Sequence, residues 1–86
     1  FKDVSFRLAP ITPAEARAMI DETAAGRLLT GFRGQPVADL DAVVNCLCRL
    51  SQLALDFPQI QEIEVNPLLI FPQGQGALAL DGRVIL

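Results

Sequence analysis

The sequence predicts an α+β fold of two layers, in which two helices cover one face of a mostly antiparallel sheet. Two observations support this class. The elements are predicted in the order strand, helix, helix, strand, strand, and the last two strands form one hairpin. The chain has 86 residues, 51% of them hydrophobic and 20% charged, so it can form one small domain with its own core.

The first nine residues predict a half-buried strand. Val4, Phe6 and Leu8 alternate there with polar side chains, a period of two that is typical of a strand with one buried face. Pro10 ends the predicted strand because proline has no N–H to give to a ladder.

The next segment predicts a helix. Thr12, Pro13 and Glu15 fit its start, since threonine caps the first turn, proline suits the first helical position and glutamate completes a capping box. We expect the helix to run to about residue 23 or 24, with Gly26 as its stop. Its inward side chains are predicted to be those of Ala16, Met19, Ile20 and Ala24.

A second and longer helix is predicted after a loop. Glycine and proline mark residues 31–36 as the loop, and Asp39 or Asp41 is expected to start the helix, which Pro58 ends. The apolar residues of this helix recur at three- and four-residue steps and form one stripe: Leu40, Val43, Val44, Leu47, Leu50 and Ala54.

Composition and cysteine spacing exclude several function classes. A net charge of −3 argues against a nucleic-acid partner, and the absence of histidine removes the commonest general base and transition-metal ligand. Proline and glycine interrupt the longest uncharged stretch, residues 65–80, so no membrane span is expected. Cys46 and Cys48 point in different directions on a helix, which predicts free thiols in a reducing compartment and a cytoplasmic location.

The two ends predict that the chain is a piece of a larger protein. It starts at Phe1, directly before the predicted strand, and finishes on three apolar residues. We expect its surplus of apolar surface to meet a neighbour.

The last two strands, residues 61–71 and 77–86, predict a hairpin around a loop at residues 72–76. If the turn is residues 72–75, residues whose numbers add to 147 lie opposite each other, and opposite side chains share a face. One face then pairs only apolar residues and is predicted to face the core: Ile63 with Val84, Pro67 with Leu80 and Leu69 with Leu78.

The other face of the hairpin carries a polar cluster of Glu64, Asn66 and Asp81, with Arg83 opposite Glu64. Two carboxylates and an amide carbonyl form an all-oxygen ligand set suited to Mg²⁺ or Mn²⁺. Pro67 gives no ladder donor, so a sheet edge or a bulge is expected beside the cluster. The alternative is structural: a Glu64–Arg83 ion pair, a kink at Asn66 and a bend after Asp81.

Arg33, in the glycine-flanked loop, is a second candidate, for contact with a cofactor phosphate or an acyl group. The alternative is that Arg33 caps carbonyls of the first helix or pairs with Asp39 or Asp41.

Residues 64–69 (EVNPLL) and 79–83 (ALDGR) together resemble the metal-binding hairpin of ATP-grasp enzymes. Upstream, three segments are similar to the ADP-forming acetyl-CoA synthetases, relatives of the succinyl-CoA synthetase β subunits, and to bacterial proteins that fuse such a module to an acetyltransferase domain. The segments are DVSFRLAPI at 3–11, LLTGFRG at 28–34, and LSQL with DFP at 50–58.

The resemblance implies that residues 1–86 are the C-terminal part of the second lobe of an ATP-grasp domain. It implies that Asn66 and Asp81 bind Mg²⁺ that bridges the phosphates of ATP or ADP, with Glu64 as a supporting residue or further ligand. The implied reaction is acid + CoA + ATP ⇌ acyl-CoA + ADP + phosphate, through an acyl phosphate and a phosphohistidine on another domain. The implied partners are the remaining ATP-grasp and CoA-binding domains, CoA and a small carboxylic acid.

We expect no activity from these 86 residues alone, because they contain one lysine, no histidine and no glycine-rich phosphate loop. Two alternatives stay open: a non-catalytic regulatory module of an acetyltransferase fusion, and an unrelated small α+β interaction domain that recruits a strand through residues 84–86. Exposed strand edges predict that copies of the chain pair.

Overall fold

The computed structural model describes residues 3–86, apart from the side chain of Phe32, and contains three helices and four strands in that part of the chain. The strands pair as two separate antiparallel sheets of two strands each, β1–β4 and β2–β3. The α+β class with antiparallel pairing is therefore confirmed. In chain order the elements are α1 (Pro13–Asp21), α2 (Ala24–Leu28), a 3₁₀ turn (Phe32–Gly34), α3 (Leu40–Asp56), β1 (Glu62–Val65), β2 (Leu68–Ile70), β3 (Ala77–Ala79) and β4 (Gly82–Ile85).

The strand predicted for residues 1–9 is wrong for its described part, residues 3–9, which are irregular; residues 1 and 2 lie outside the described residues. Val4, Phe6 and Leu8 are 54%, 81% and 91% exposed, so the alternating apolar face has no cover. An alternating segment becomes a strand only when a neighbour supplies a ladder, and none of the four strands described pairs with it.

Polar contacts attach this N-terminal segment to the junction of α1 and α2. The carboxylate of Asp3 accepts hydrogen bonds from the backbone N–H groups of Ala24 (2.8 Å) and Ala25 (2.9 Å). Arg7 forms an ion pair with Glu22, to which Ser5 also donates. The segment is thus fixed at two points without being part of a sheet.

The start of α1 confirms the predicted capping box. Thr12 Oγ1 accepts from the backbone N–H of Glu15, and a carboxylate oxygen of Glu15 accepts from the N–H of Thr12, both at 3.1 Å. Helix α1 ends at Asp21, two or three residues earlier than predicted.

The predicted role of Gly26 as a helix stop is wrong, because Gly26 lies inside the short helix α2 and is buried. Thr23 starts α2 by accepting from the N–H of Gly26 at 2.9 Å. A Cβ at position 26 would lie 1.8 Å from the carbonyl oxygen of Ile20, so the two helices meet closely here. Ala24, predicted to point inward, is exposed.

The core lies between α1 and α3. Ile20, Leu40 and Val43 form its buried cluster, and four half-buried side chains pack around it: Leu29, Val44, Leu47 and Ile70. Asp39 caps α3 by accepting from the N–H of Ala42 at 3.1 Å, which confirms the predicted start. The end of the predicted stripe is more open, since Ala54 is exposed.

Asp39 also links α3 to the hairpin. Its second carboxylate oxygen accepts from the N–H of Gly76 at 2.8 Å. The N–H of Asp39 itself donates to the carbonyl of Phe71 at 2.9 Å. One residue therefore joins the first turn of the long helix to the loop between β2 and β3.

The hairpin has the predicted register, because every pair in both sheets adds to 147, from Glu62 with Ile85 to Ile70 with Ala77. The prediction that one face of the hairpin is buried as a continuous core surface is wrong. Leu69, Leu78, Leu80 and Val84 are 42–55% exposed, whereas Ile63 is half-buried.

The buried positions change phase between the two sheets. The more buried positions are odd-numbered in β1 (Ile63 and Val65) and even-numbered in β2 (Leu68 and Ile70). The change occurs at the peptide between Asn66 and Pro67, which is cis. Pairing alone therefore does not fix which face meets α3.

Cys46 and Cys48 are free and half-buried on α3. None of the helices in the described part of the chain has the length and apolar character needed to span a membrane.

Candidate metal centre

The predicted polar cluster lines a single open pocket of about 220 Å³ on the hairpin. Its lining consists of Glu64, Asn66, Asp81, Gly82 and Arg83. The structure therefore brings together the three side chains predicted as metal ligands.

The pocket lies where the ladder of β1–β4 gives way to that of β2–β3. Val65 and Gly82 form the last pair of the first sheet, and the N–H of Asn66 then donates to the carbonyl of Asp81 at 3.0 Å. Pro67 has no N–H, so it only accepts, from Leu80 at 3.1 Å.

Pro67 lies at an open sheet edge, as predicted, because each sheet has only two strands, and the ladder there is interrupted by a symmetric break rather than by a bulge. Two residues on each side lie between the paired strands, Asn66 and Pro67 on one side and Leu80 and Asp81 on the other. The numbers of opposite residues therefore still add to 147. This break places Asn66 directly opposite Asp81.

Local backbone geometry orients Asp81. One carboxylate oxygen, Oδ1, accepts a hydrogen bond from the N–H of Gly82 at 2.9 Å. The carboxylate is exposed, and its second oxygen adds further acceptor capacity. Asn66 is also exposed, so both groups are accessible to a ligand from solvent.

Glu64 differs from these two groups because Arg83 holds it. Arg83 Nε and Nη2 lie 3.2 and 3.1 Å from Glu64 Oε2, and Nη2 lies 3.0 Å from Glu62 Oε1. The ion pair of the structural alternative is thus present beside the candidate ligands. Glu62 was not among the predicted residues, although it lies two positions before Glu64 and the alternation of a strand directs both to one side.

The donor set fits a hard divalent cation that keeps part of its shell from other sources. No group of three or more His, Cys, Asp or Glu side chains within residues 3–86 is arranged to hold a metal ion. Two carboxylates and one amide suit Mg²⁺, which commonly takes one or two protein carboxylates and completes its octahedron with water and phosphate oxygens.

Arg33 lies outside this pocket. It occupies the 3₁₀ turn in a left-handed conformation, with φ 55° and ψ 44°, between Gly31 and Gly34, which also have positive φ. Because the pocket lining does not include Arg33, its contact with a cofactor stays a prediction.

Shifted pKa values occur at the attachment of the N-terminal segment. The N–H groups of Ala25 and Ala24 hold the pKa of Asp3 below its ordinary value of 3.8. The hydrogen bonds from Arg7 and Ser5 lower the pKa of Glu22, and Glu22 raises that of Arg7. These contacts stabilise the charged forms of groups that hold the segment in place.

Comparison with known proteins gives a consistent result along the whole chain. The family model of the ATP-grasp domain matches residues 1–86. Acetate–CoA ligase [ADP-forming] I of Archaeoglobus fulgidus is 46% identical over 85 residues, which cover 99% of this chain and 12% of that protein. The β subunit of acetate–CoA ligase [ADP-forming] II of Pyrococcus furiosus is 43% identical over 86 residues, covering 99% of this chain and 36% of that subunit.

Solved structures show the same relationship. A protein of Pyrococcus horikoshii has a TM-score of 0.90 at 41% identity, covering 98% of this chain and 35% of that one. The dinucleotide-forming acetyl-CoA synthetase 1 of Ca. Korarchaeum cryptofilum, solved with coenzyme A and Mg-AMPPCP, has a TM-score of 0.86 at 36% identity, covering 93% of this chain and 37% of that one.

The chain therefore spans only about an eighth to a third of the length of these relatives. The match excludes an unrelated small α+β domain, because family model, relatives and solved structures agree over almost every residue. This chain belongs to the ATP-grasp domain family.

Proposed function

We propose that this chain supplies the metal–nucleotide hairpin of an ADP-forming acyl-CoA synthetase, which catalyses acid + CoA + ATP ⇌ acyl-CoA + ADP + phosphate. The observation that supports this most directly is the shared pocket of Asn66 and Asp81, in a chain whose relatives are named ADP-forming acetate–CoA ligases. Magnesium with a nucleotide analogue in the Korarchaeum synthetase supports the same kind of ligand here.

Asn66 and Asp81 are the proposed ligands of Mg²⁺ or Mn²⁺. The backbone N–H of Asn66 donates to the carbonyl of Asp81, and the N–H of Gly82 donates to one oxygen of the Asp81 carboxylate. When bound, the ion would neutralise phosphate charge and align the transferred group.

Two further residues complete the proposed site. Glu64 is a supporting residue or further ligand at the same pocket. Arg33 is proposed to contact a phosphate or acyl group, since the positive φ of its turn projects a side chain where flanking glycines allow close approach.

The chain is proposed to act as the C-terminal lobe of its ATP-grasp domain within a longer cytoplasmic protein, and to be inactive by itself. Its partners are then the rest of the ATP-grasp domain, the CoA-binding domains, ATP, CoA and a small carboxylic acid. The exposed edges of its two small sheets are proposed to pair copies of the isolated chain.

The test uses the full-length protein and measures Mn²⁺ binding with ADP present, by electron paramagnetic resonance. The double variant with Asn66→Ala and Asp81→Ala lacks the two proposed ligands, and we expect its Mn²⁺ Kd to be at least about tenfold higher. The matched control replaces an exposed asparagine and aspartate of α3, Asn45→Ala and Asp56→Ala, and leaves the Kd unchanged.

Equal Mn²⁺ affinity in the two double variants would refute the hairpin as the metal site. Metal and nucleotide binding without any turnover by the full-length protein would instead support the alternative of a non-catalytic regulatory module.

A further inference from the structure

Arg83 connects Glu64, which lines the candidate metal pocket, with Glu62, which does not. Its Nη2 lies 3.0 Å from Glu62 and 3.1 Å from Glu64, and its Nε donates to Glu64 at 3.2 Å. Glu62 and Glu64 project to the same side of β1, and Arg83 lies directly across from Glu64 in the ladder.

This arrangement affects Glu64 more than the other pocket groups. Nε and Nη2 of Arg83 both contact the same carboxylate oxygen of Glu64, Oε2, and so hold this carboxylate in place. The fixed guanidinium charge also lies at the wall of the pocket that contains Asn66 and Asp81, where it repels a cation.

The net charge of the side chains that line the pocket affects how a divalent ion would bind there. Two carboxylates, those of Glu64 and Asp81, line the pocket together with the guanidinium of Arg83, so its charged side chains sum to a net charge of −1. A charge of −1 does not neutralise a divalent ion. Phosphate oxygens would supply the charge that the protein withholds.

We propose that Arg83 is a positioning residue that clamps Glu64 to Glu62, keeps Glu64 from ligating the ion, and so makes metal binding depend on the nucleotide. This rests on the proposed function, since it takes Asn66 and Asp81 as the metal ligands. It assigns Glu64 the supporting role rather than that of a ligand.

The experiment measures the Mn²⁺ Kd of the full-length protein without nucleotide and with ADP. Arg83→Gln removes the repelling charge and releases Glu64, so we expect metal binding without nucleotide to tighten about threefold, the scale of an exposed ion pair. The stimulation of Mn²⁺ binding by ADP should shrink by the same factor. Arg49→Gln, at an exposed arginine of α3, is the matched control and leaves both Kd values unchanged.

Two further variants separate a clamp from a general effect on folding. In a Glu64→Gln background the gain from Arg83→Gln should shrink to the part that comes from removing the repelling charge, because no released carboxylate remains to bind the ion. Arg83→Lys keeps the repelling charge but loses the fork that holds both glutamates, so its Kd should lie between those of Arg83→Gln and the unaltered protein.

The outcomes distinguish the clamp from the function on which it rests. If the unaltered protein binds no Mn²⁺ even with ADP, the proposed function fails and the clamp fails with it. If it binds Mn²⁺ with ADP but Arg83→Gln leaves metal binding unchanged or weaker, only the clamp is overturned. A loss of metal-free ADP binding in Arg83→Gln also overturns it, because Arg83 would then contact phosphate.

Discussion

The helical part of the chain and the hairpin are built on different principles. Within residues 3–86, the buried apolar residues all lie between positions 16 and 43, in or next to α1 and α3. The hairpin, residues 62–85, contributes half-buried and exposed side chains, and its four strands are only three or four residues long. Packing therefore stabilises the helices, whereas backbone pairing and a few contacts with the helices place the polar pocket.

Removing one side chain from each part tests most directly whether packing stabilises the helices more than the hairpin. Ile20→Ala deletes a core side chain that is 5% exposed, and we expect a loss of about 3 kcal/mol in the free energy of unfolding. Leu78→Ala, at a position that is 50% exposed, should cost less than about 1 kcal/mol. Urea unfolding of the chain, followed by circular dichroism, measures both; equal losses would contradict the division.

Asp39 tests how strongly the two parts are coupled. Asp39→Ala removes both the helix cap and the acceptor for the N–H of Gly76. We expect it to lower the free energy of unfolding by about 2 kcal/mol. Asp39→Asn keeps a capping oxygen but replaces the oxygen that accepts from the N–H of Gly76. We expect it to lower the free energy of unfolding by about 1 kcal/mol.

Amide hydrogen exchange provides the matching readout. Exchange of the Gly76 amide should accelerate in both variants, and that of Ala42 only in Asp39→Ala. Asp41→Asn, in the first turn of α3, is the control. An unchanged Gly76 amide would show that the loop is held by other contacts.

The smallest expected effect concerns the attachment of residues 3–9 to the helices. The pKa values of Asp3 and Glu22 are lowered by folding, so their contribution is fully present above the ordinary values of 3.8 and 4.5 and is lost as pH falls through the lower folded values. The urea midpoint of the chain should therefore fall as pH drops below about 4. Glu22→Gln should flatten this dependence, and an unaltered slope in that variant would place the acid sensitivity elsewhere.

Local rules predicted the parts of the fold that depend on neighbouring residues. The capping box of Thr12 and Glu15, the cap at Asp39 and the pairing register all follow from short-range geometry, and all are present. The register is also why the Glu64, Asn66 and Asp81 side chains could be expected in one pocket.

The features that sequence reasoning missed depend on tertiary contacts. The strand predicted for residues 1–9 lacks a partner among the described strands, and Gly26 serves a close approach to Ile20 rather than a helix end. The exposed face of Leu69 and Leu78 could not be recognised from alternation, because the more buried positions are odd-numbered in β1 and even-numbered in β2.

The symmetric break in the hairpin limits how its length can vary during evolution. Equal numbers of residues leave the two strands at this point, so Asn66 stays opposite Asp81 only while the segments on either side of the turn remain equally long. A single deletion in one of them would swap the faces of every residue beyond it. Homologous hairpins that retain the polar pocket should therefore gain or lose residues in matched pairs across the strands, or within the turn itself.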